Sequence, residues 1–328
     1  MDRTATDRSS PRDLILGIVN NYGFYQVSRF ILTLRQSGFQ GRLCLFAGPA
    51  TSRATVRRMR AHGVEVIRYR ESFPFIESPH PDSRRSLPKR IHIYNYRHFL
   101  YHDYLLKNGG RFRNVLLADV KDVVFQRDPF DFPIGDRLYV AMESPRNPIG
   151  RCESTPDWIV AGFGTARLEQ LRDKPMSCAG TTIGPVAEVE RYLRALLGQI
   201  DIMRDAYACA DQAAHNLLLH SGGLDPVQRV ENFEGPILTV GTEPGYQLNE
   251  RSELVNRDGS VINIIHQYDR HPELVALFEA KVRPVAWKRL LAKLSFDASS
   301  GIRRRWRSAA ARARHAEQRP LRIARQAI

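Results

Sequence analysis

No apolar run in this 328-residue chain approaches a bilayer crossing. The longest, such as Leu14–Val19 and Val261–Ile265, are a fraction of the about 20 residues that a membrane helix needs. The stretch Met1–Arg12 is polar and offers no apolar segment ahead of Leu14, so it reads as a disordered N-terminus without a secretory leader. Cysteine is scarce as well. Cys44, Cys152, Cys178 and Cys209 are far apart, form neither a metal-binding pair nor a dithiol redox motif, and suit a reducing compartment. No internal repeat is present, and the 43% apolar and 26% charged content is that of an ordinary globular protein.

The net charge of +14 is not spread over the chain. From Lys281 onward, 14 basic residues face only Asp297 and Glu317, so this segment carries +12 and the preceding body about +2. The basicity belongs to an extension, residues 283–328, expected to be helical or disordered. Its run Arg303-Arg304-Arg305-Trp306-Arg307 suits an anionic membrane surface, contacted through residues 303–325.

Within residues 13–282, strand and helix patterns alternate at short intervals. Leu14–Val19, Arg42–Ala47 and Val64–Arg68 read as strands; Phe24–Gln36 and Ser52–Ala61 read as the helices between them. Such alternation predicts a parallel sheet with helices on its faces, an α/β fold. The proline-rich stretch Glu71–Pro88 reads as a loop, and Lys89–Lys107 as a long aromatic helix. Further on, Arg137–Met142 reads as a strand and Ser144–Pro156 as a loop. Asp157–Leu171, Glu188–Leu197, Asp205–His220 and Glu273–Lys281 read as helices, and Val261–His266 as a late strand.

Four constellations carry chemistry. In Asn114-Val-Leu-Leu-Ala-Asp119-Val-Lys-Asp122-Val-Val-Phe-Gln126 an apolar strand runs into two acids and then resumes. Carboxylates at the carboxyl end of a buried strand sit where open α/β sheets bind ligands, and hard cations take oxygen ligands. On a continuous strand, residues three apart face opposite ways. A turn at Val120-Lys121 is therefore required for both acids to reach one Mg²⁺ or Mn²⁺; the bland reading is a turn with solvated carboxylates. His266 ends a second apolar strand and is an acceptable Mn²⁺ ligand. Asp211 and His215 share a helix face, where Asp211 could orient a hydroxyl, act as a base, or merely complement the helix dipole. In Cys178-Ala-Gly180-Thr181-Thr-Ile-Gly184, glycine permits close backbone approach and the hydroxyls suit sugar or phosphate oxygens, although a turn between helices has the same composition.

These pieces, with Asn20-Asn21-Tyr22-Gly23 after the first strand and Asp128-Pro129-Phe130 after Gln126, resemble nucleotide-diphospho-sugar transferases of the GT-A fold over roughly Leu14–Lys281. The resemblance implies a Rossmann-like α/β/α sandwich with a mostly parallel central sheet. Asp119 and Asp122 would correspond to the family's Asp-x-Asp signature, here spaced Asp-x-x-Asp, and His266 to its late metal ligand. Asn20, Asn21 and Tyr22 would lie near the nucleotide base or ribose. Arg90, Asp119 and Lys121 would face the diphosphate, Gly180 and Thr181 the sugar or acceptor side, and Gln212 the sugar hydroxyls. Asp211 would be the catalytic candidate if the anomeric centre is inverted, and would hold the sugar if it is retained.

The implied activity is transfer of a sugar from a nucleotide-diphosphate donor to a hydroxyl acceptor, with Mn²⁺ or Mg²⁺. The acceptor would be a glycan or lipid-linked molecule, in cell-surface glycan or polysaccharide synthesis. The site would be cytoplasmic, with the inner membrane face as the surface the extension meets, and no specific nucleic acid is expected. A sugar-phosphate nucleotidyltransferase is the enzymatic alternative, but Asn20-Asn21-Tyr22-Gly23 is not the glycine-rich basic loop such enzymes use. A protein that only binds membrane or nucleic acid through its basic extension is the non-enzymatic one.

Overall fold

A computed structural model describes residues 12–70, 91–204, 211–243 and 245–282. The chain divides into two units, residues 1–282 and 283–328, and all described residues belong to the first. Arg90, Cys209, the loop expected at Glu71–Pro88 and the basic segment 303–325 lie outside the described residues. Among the described residues, no helix is long and apolar enough to cross a membrane, and Cys44, Cys152 and Cys178 are all free thiols.

The first half alternates as expected: β1 (Arg12–Val19), α1 (Phe24–Gln36), β2 (Arg42–Ala47), α2 (Arg53–Ala61), β3 (Glu65–Arg68), α3 (Ile93–Asn108) and β4 (Phe112–Ala118). Local chemistry sets the helix starts. Ser52 caps α2 by accepting from the Thr55 N–H at 3.1 Å, and the Gln26 side chain folds back to the Gly23 N–H at 2.9 Å ahead of α1. There follow β5 (Val123–Phe125), β6 (Leu138–Met142), α4 (Thr155–Phe163), α5 (Thr165–Leu171), β7 (Ser177–Pro185), α6 (Val186–Asp201) and α7 (Asp211–His220). The body finishes with β8 (Val227–Val230), β9 (Ile237–Thr239), β10 (Gln247–Leu248), β11 (Leu254–Val255), β12 (Ile264–His266) and α8 (Pro272–Val282).

Seven strands form the central sheet in the order β3-β2-β1-β4-β7-β6-β8. All neighbours pair in parallel except that β7 is antiparallel to both β4 and β6. β1 shows why its run is continuously apolar. Leu14, Leu16 and Ile18 face a core shared with α3, α6 and α7, while Ile15 and Val19 face one shared with α1 and α2. The fold is therefore three-layered, helix–sheet–helix.

Beside it lies a small sheet, β5-β12-β9, whose register sets His266 opposite both Val123 and Thr239. α8 is tied back across α1: buried Arg29 donates to the Tyr268 hydroxyl at 2.6 Å and to Glu279 at 3.0 Å, and Tyr25 also donates to Glu279. This clamp holds the segment that follows His266.

Three expectations need correction. Cys178–Gly184 is not a link between helices but most of β7, whose residues Ser177–Gly184 are all buried. With neither face exposed it shows no alternation, and its small residues imitate a turn. Asp157–Leu171 is two helices, because Gly164, at φ 89°, takes a conformation that side-chain-bearing residues rarely adopt. The late strand is confined to Ile264–His266, with Val261 making only an isolated bridge to Val255.

Candidate metal centre

The polar interruption after β4 is a turn. The chain bends at Val120–Asp122 before β5, and the Asp119 N–H donates to the Gly180 carbonyl at 2.8 Å, prolonging the β4–β7 pairing by one rung. The Gln267 N–H donates to the Asp122 carbonyl at 2.8 Å, so the β5–β12 register fixes His266 beside the acids. One ligand atom from each of Asp119, Asp122 and His266 lies within 4.8 Å of the others. His266 Nε2 is 3.7 Å from Asp119 Oδ2 and 3.8 Å from Asp122 Oδ1, beyond hydrogen-bond reach. The ring is 1% exposed, and Nε2 has no hydrogen-bond partner. A buried nitrogen without a partner, facing two carboxylates, fits a divalent cation between them. An imidazole in the set favours Mn²⁺ over Mg²⁺.

Gly180 makes room for this arrangement. A Cβ there would come within 2.3 Å of His266 Cε1 and 2.7 Å of Asp119 Oδ2. β7 is irregular at this point: its register with β6 shifts between Val140 opposite Thr182 and Ala141 opposite Cys178. Bulges of this kind re-aim residues next to functional sites.

The electrostatics are those of two acids crowded beside Arg97 and His266. Burial pushes the Asp119 carboxyl up, but Arg97 and His266 outweigh it and hold that carboxyl well below the usual carboxylate range. For Asp122, burial and the Asp119 charge outweigh the pull of His266, and its carboxyl stays above its ordinary value. Burial pulls the His266 imidazole down, yet Cys178, Asp122 and Asp119 hold it well above its ordinary value. A bound cation would take over the compensating role of that proton.

Arg97, on α3, is a site residue the sequence reading passes over. Its guanidinium is 7% exposed, bonds Asp119 through Nη1, and bonds Asp211 through Nη2 at 2.7 Å. Asp211 also meets His98 Nε2 at 3.2 Å. Burial pushes the Asp211 carboxyl up, but Arg97 outweighs it and leaves it below its ordinary value. Asp211 is thus the buried counter-charge that steers Arg97 onto Asp119. The signal for Arg97 was faint: a charged residue on the buried side of an aromatic helix, in Tyr96-Arg97-His98.

The other expected residues fall in two groups. Asn20, Asn21 and Tyr22 follow β1 at the same carboxyl edge as Asp119, with Asn21 exposed and at φ 58°. Lys121 pairs with Asp269 at 3.0 Å and is partly exposed beside the acids. Thr181 is fully buried, its hydroxyl facing the interior. Gln212 spends both ends of its amide on the β7 backbone, accepting from the Ala179 N–H and donating to the Ser177 carbonyl, both at 2.9 Å. Asn216, one turn along α7, also holds Ser177. His215, on the same helix, is locked between the Ser177 and Tyr192 hydroxyls, each at 2.9 Å. His271 meets the Val240 carbonyl at 2.8 Å and takes no part in the cluster.

Compared with known proteins, the chain matches no family model and no curated protein. What the site can do rests on its own residues: two carboxylates and an imidazole at the carboxyl edge of a mostly parallel sheet, backed by a buried arginine.

Proposed function

We propose that this protein is a metal-dependent glycosyltransferase of GT-A type, moving a sugar from a nucleotide-diphosphate donor to a hydroxyl acceptor. The observation that carries the reading is the convergence of Asp119, Asp122 and His266 where the parallel strands end, the edge at which α/β sheets bind nucleotides. A divalent cation held there would act as a Lewis acid on the donor diphosphate as the glycosidic bond breaks.

The protein's own groups divide the remaining work. Arg97 anchors Asp119 by one oxygen and leaves Oδ2 turned toward His266. Asn20, Asn21 and Tyr22 lie along the edge where the base and ribose of the donor would rest. Asp211, with its charge committed to Arg97 and His98, fixes the geometry of the donor side more readily than it takes a proton. The acceptor would be a glycan or lipid-linked molecule, and the basic segment 303–325 offers contact with an anionic membrane surface where a lipid-linked one is found.

The test is a panel of nucleotide sugars, each with Mn²⁺, read by thermal unfolding and then by donor hydrolysis. A ligand at 100 times its Kd stabilises by about 2.7 kcal/mol. One nucleotide sugar should raise the melting temperature and be hydrolysed, and both effects should vanish in Asp119→Ala and Asp122→Ala. No response across the panel, or pyrophosphate release from a nucleoside triphosphate and a sugar phosphate, would overturn the reading.

A further inference from the structure

The second nitrogen of His266 points to a residue with no role in the reaction itself. Cys178 Sγ lies 3.6 Å from His266 Nδ1, and the thiol is buried at 5% exposure. The Gln267 side-chain amide donates to the same sulfur at 3.7 Å. An amide N–H can only donate, so the sulfur is already an acceptor there. Glu143, buried just beyond the end of β6, interacts electrostatically with the thiol.

We infer that Cys178 is a positioning residue for the metal centre: its sulfur accepts the Nδ1–H of His266, fixing the tautomer in which Nε2 presents a lone pair to the space between Asp119 and Asp122. The inference rests on the metal-site reading above and adds a partner to it.

Two features of β7 act on one ring. Gly180 leaves space for the Nε2 edge and Cys178 holds the Nδ1 edge, the two residues lying within the stretch where β7 falls out of register with β6. The opposite tautomer would carry hydrogen on Nε2, which at 3.7 and 3.8 Å from the acids gains only a long contact, whereas Nδ1 lies against the sulfur. Groups that hold the outer nitrogen of a ligating histidine commonly set metal affinity by about ten- to a hundredfold. Here a thiol stands where a carboxylate or carbonyl is usual, and Glu143 stands behind it.

The experiment titrates Mn²⁺ into the full chain by calorimetry and reads the ¹⁵N shifts of the His266 ring in the metal-free protein at a pH alkaline enough for the imidazolium to have lost one proton. Wild type should bind Mn²⁺ and show hydrogen on Nδ1. Cys178→Ala and Cys178→Val, which lack a sulfur acceptor, should each bind about tenfold more weakly and lose the single tautomer. Cys178→Ser, which keeps an acceptor, should bind better than either. Val fills the space that Ala vacates, so a packing defect in one is checked by the other. Wild-type affinity and an unchanged tautomer in Cys178→Ala or Cys178→Val overturn the role of Cys178 while leaving the metal site intact. Absence of Mn²⁺ binding in wild type removes the metal site and this inference together.

Discussion

Gly180 and His266 compete for one volume: any side chain at the first would stand within 2.3 Å of the ring of the second. Gly180→Ala should therefore push the imidazole away from the acids. Mn²⁺ affinity should fall at least tenfold, and crowding should cost about 1–3 kcal/mol of stability. Calorimetric titration and urea unfolding measure the two effects, and wild-type Mn²⁺ affinity in the variant would refute the prediction.

Asp122 carries a half-buried negative charge that Asp119 opposes. Asp122→Asn should remove that repulsion and raise the urea midpoint of the metal-free protein. The same variant should lose the rise in melting temperature that Mn²⁺ gives wild type. A site residue whose removal strengthens the fold is a residue kept for its ligand.

Arg97 balances two carboxylates, and taking away one partner of a buried pair is costlier than taking away both. Arg97→Met should destabilise by about 3–5 kcal/mol. Adding Asp211→Asn to it should recover much of that loss, since a neutral amide remains next to His98. Urea midpoints of the two variants decide the matter; an equal or larger loss in the double variant would contradict the pairing.

His215 is fully buried, and burial holds its imidazole down at about 3 despite the nearby Asp211. The unfolded chain takes up this proton near pH 6.5, whereas the native protein resists until about pH 3. Stability is thus greatest above pH 6.5 and falls as pH drops toward 3, by up to about 1.4 kcal/mol per pH unit from this group. His215→Asn should be less stable at neutral pH and show a shallower decline on acidification, measured by urea unfolding from pH 7 to pH 4.

The candidate metal ligands were legible because each interrupts or ends an apolar run. Asp119 and Asp122 break one at a point where only a turn could unite them, and His266 closes another; the structure makes that turn at Val120–Asp122. The surrounding support was less legible, since it depends on which backbone atoms lack partners. Gln212 was a sugar contact only by the family resemblance; in the fold its amide substitutes for a missing neighbour along β7. Arg97 was hidden among the aromatic residues of α3, and nothing in the chain's order shows that Asp119 and Asp211 lie on either side of it. The strand Ser177–Pro185 lost its signature by being covered on both faces.

Pairing β12 with β5 joins a late segment of the chain to an early one. During synthesis, Asp119 and Asp122 leave the ribosome well over a hundred residues ahead of His266. At ~5–20 residues per second they wait several seconds or more for their third partner. Over that interval the nascent chain presents two acids without the imidazole, and a chain cut short before residue 266 presents nothing more. Tight ion capture would then report that translation has passed β12.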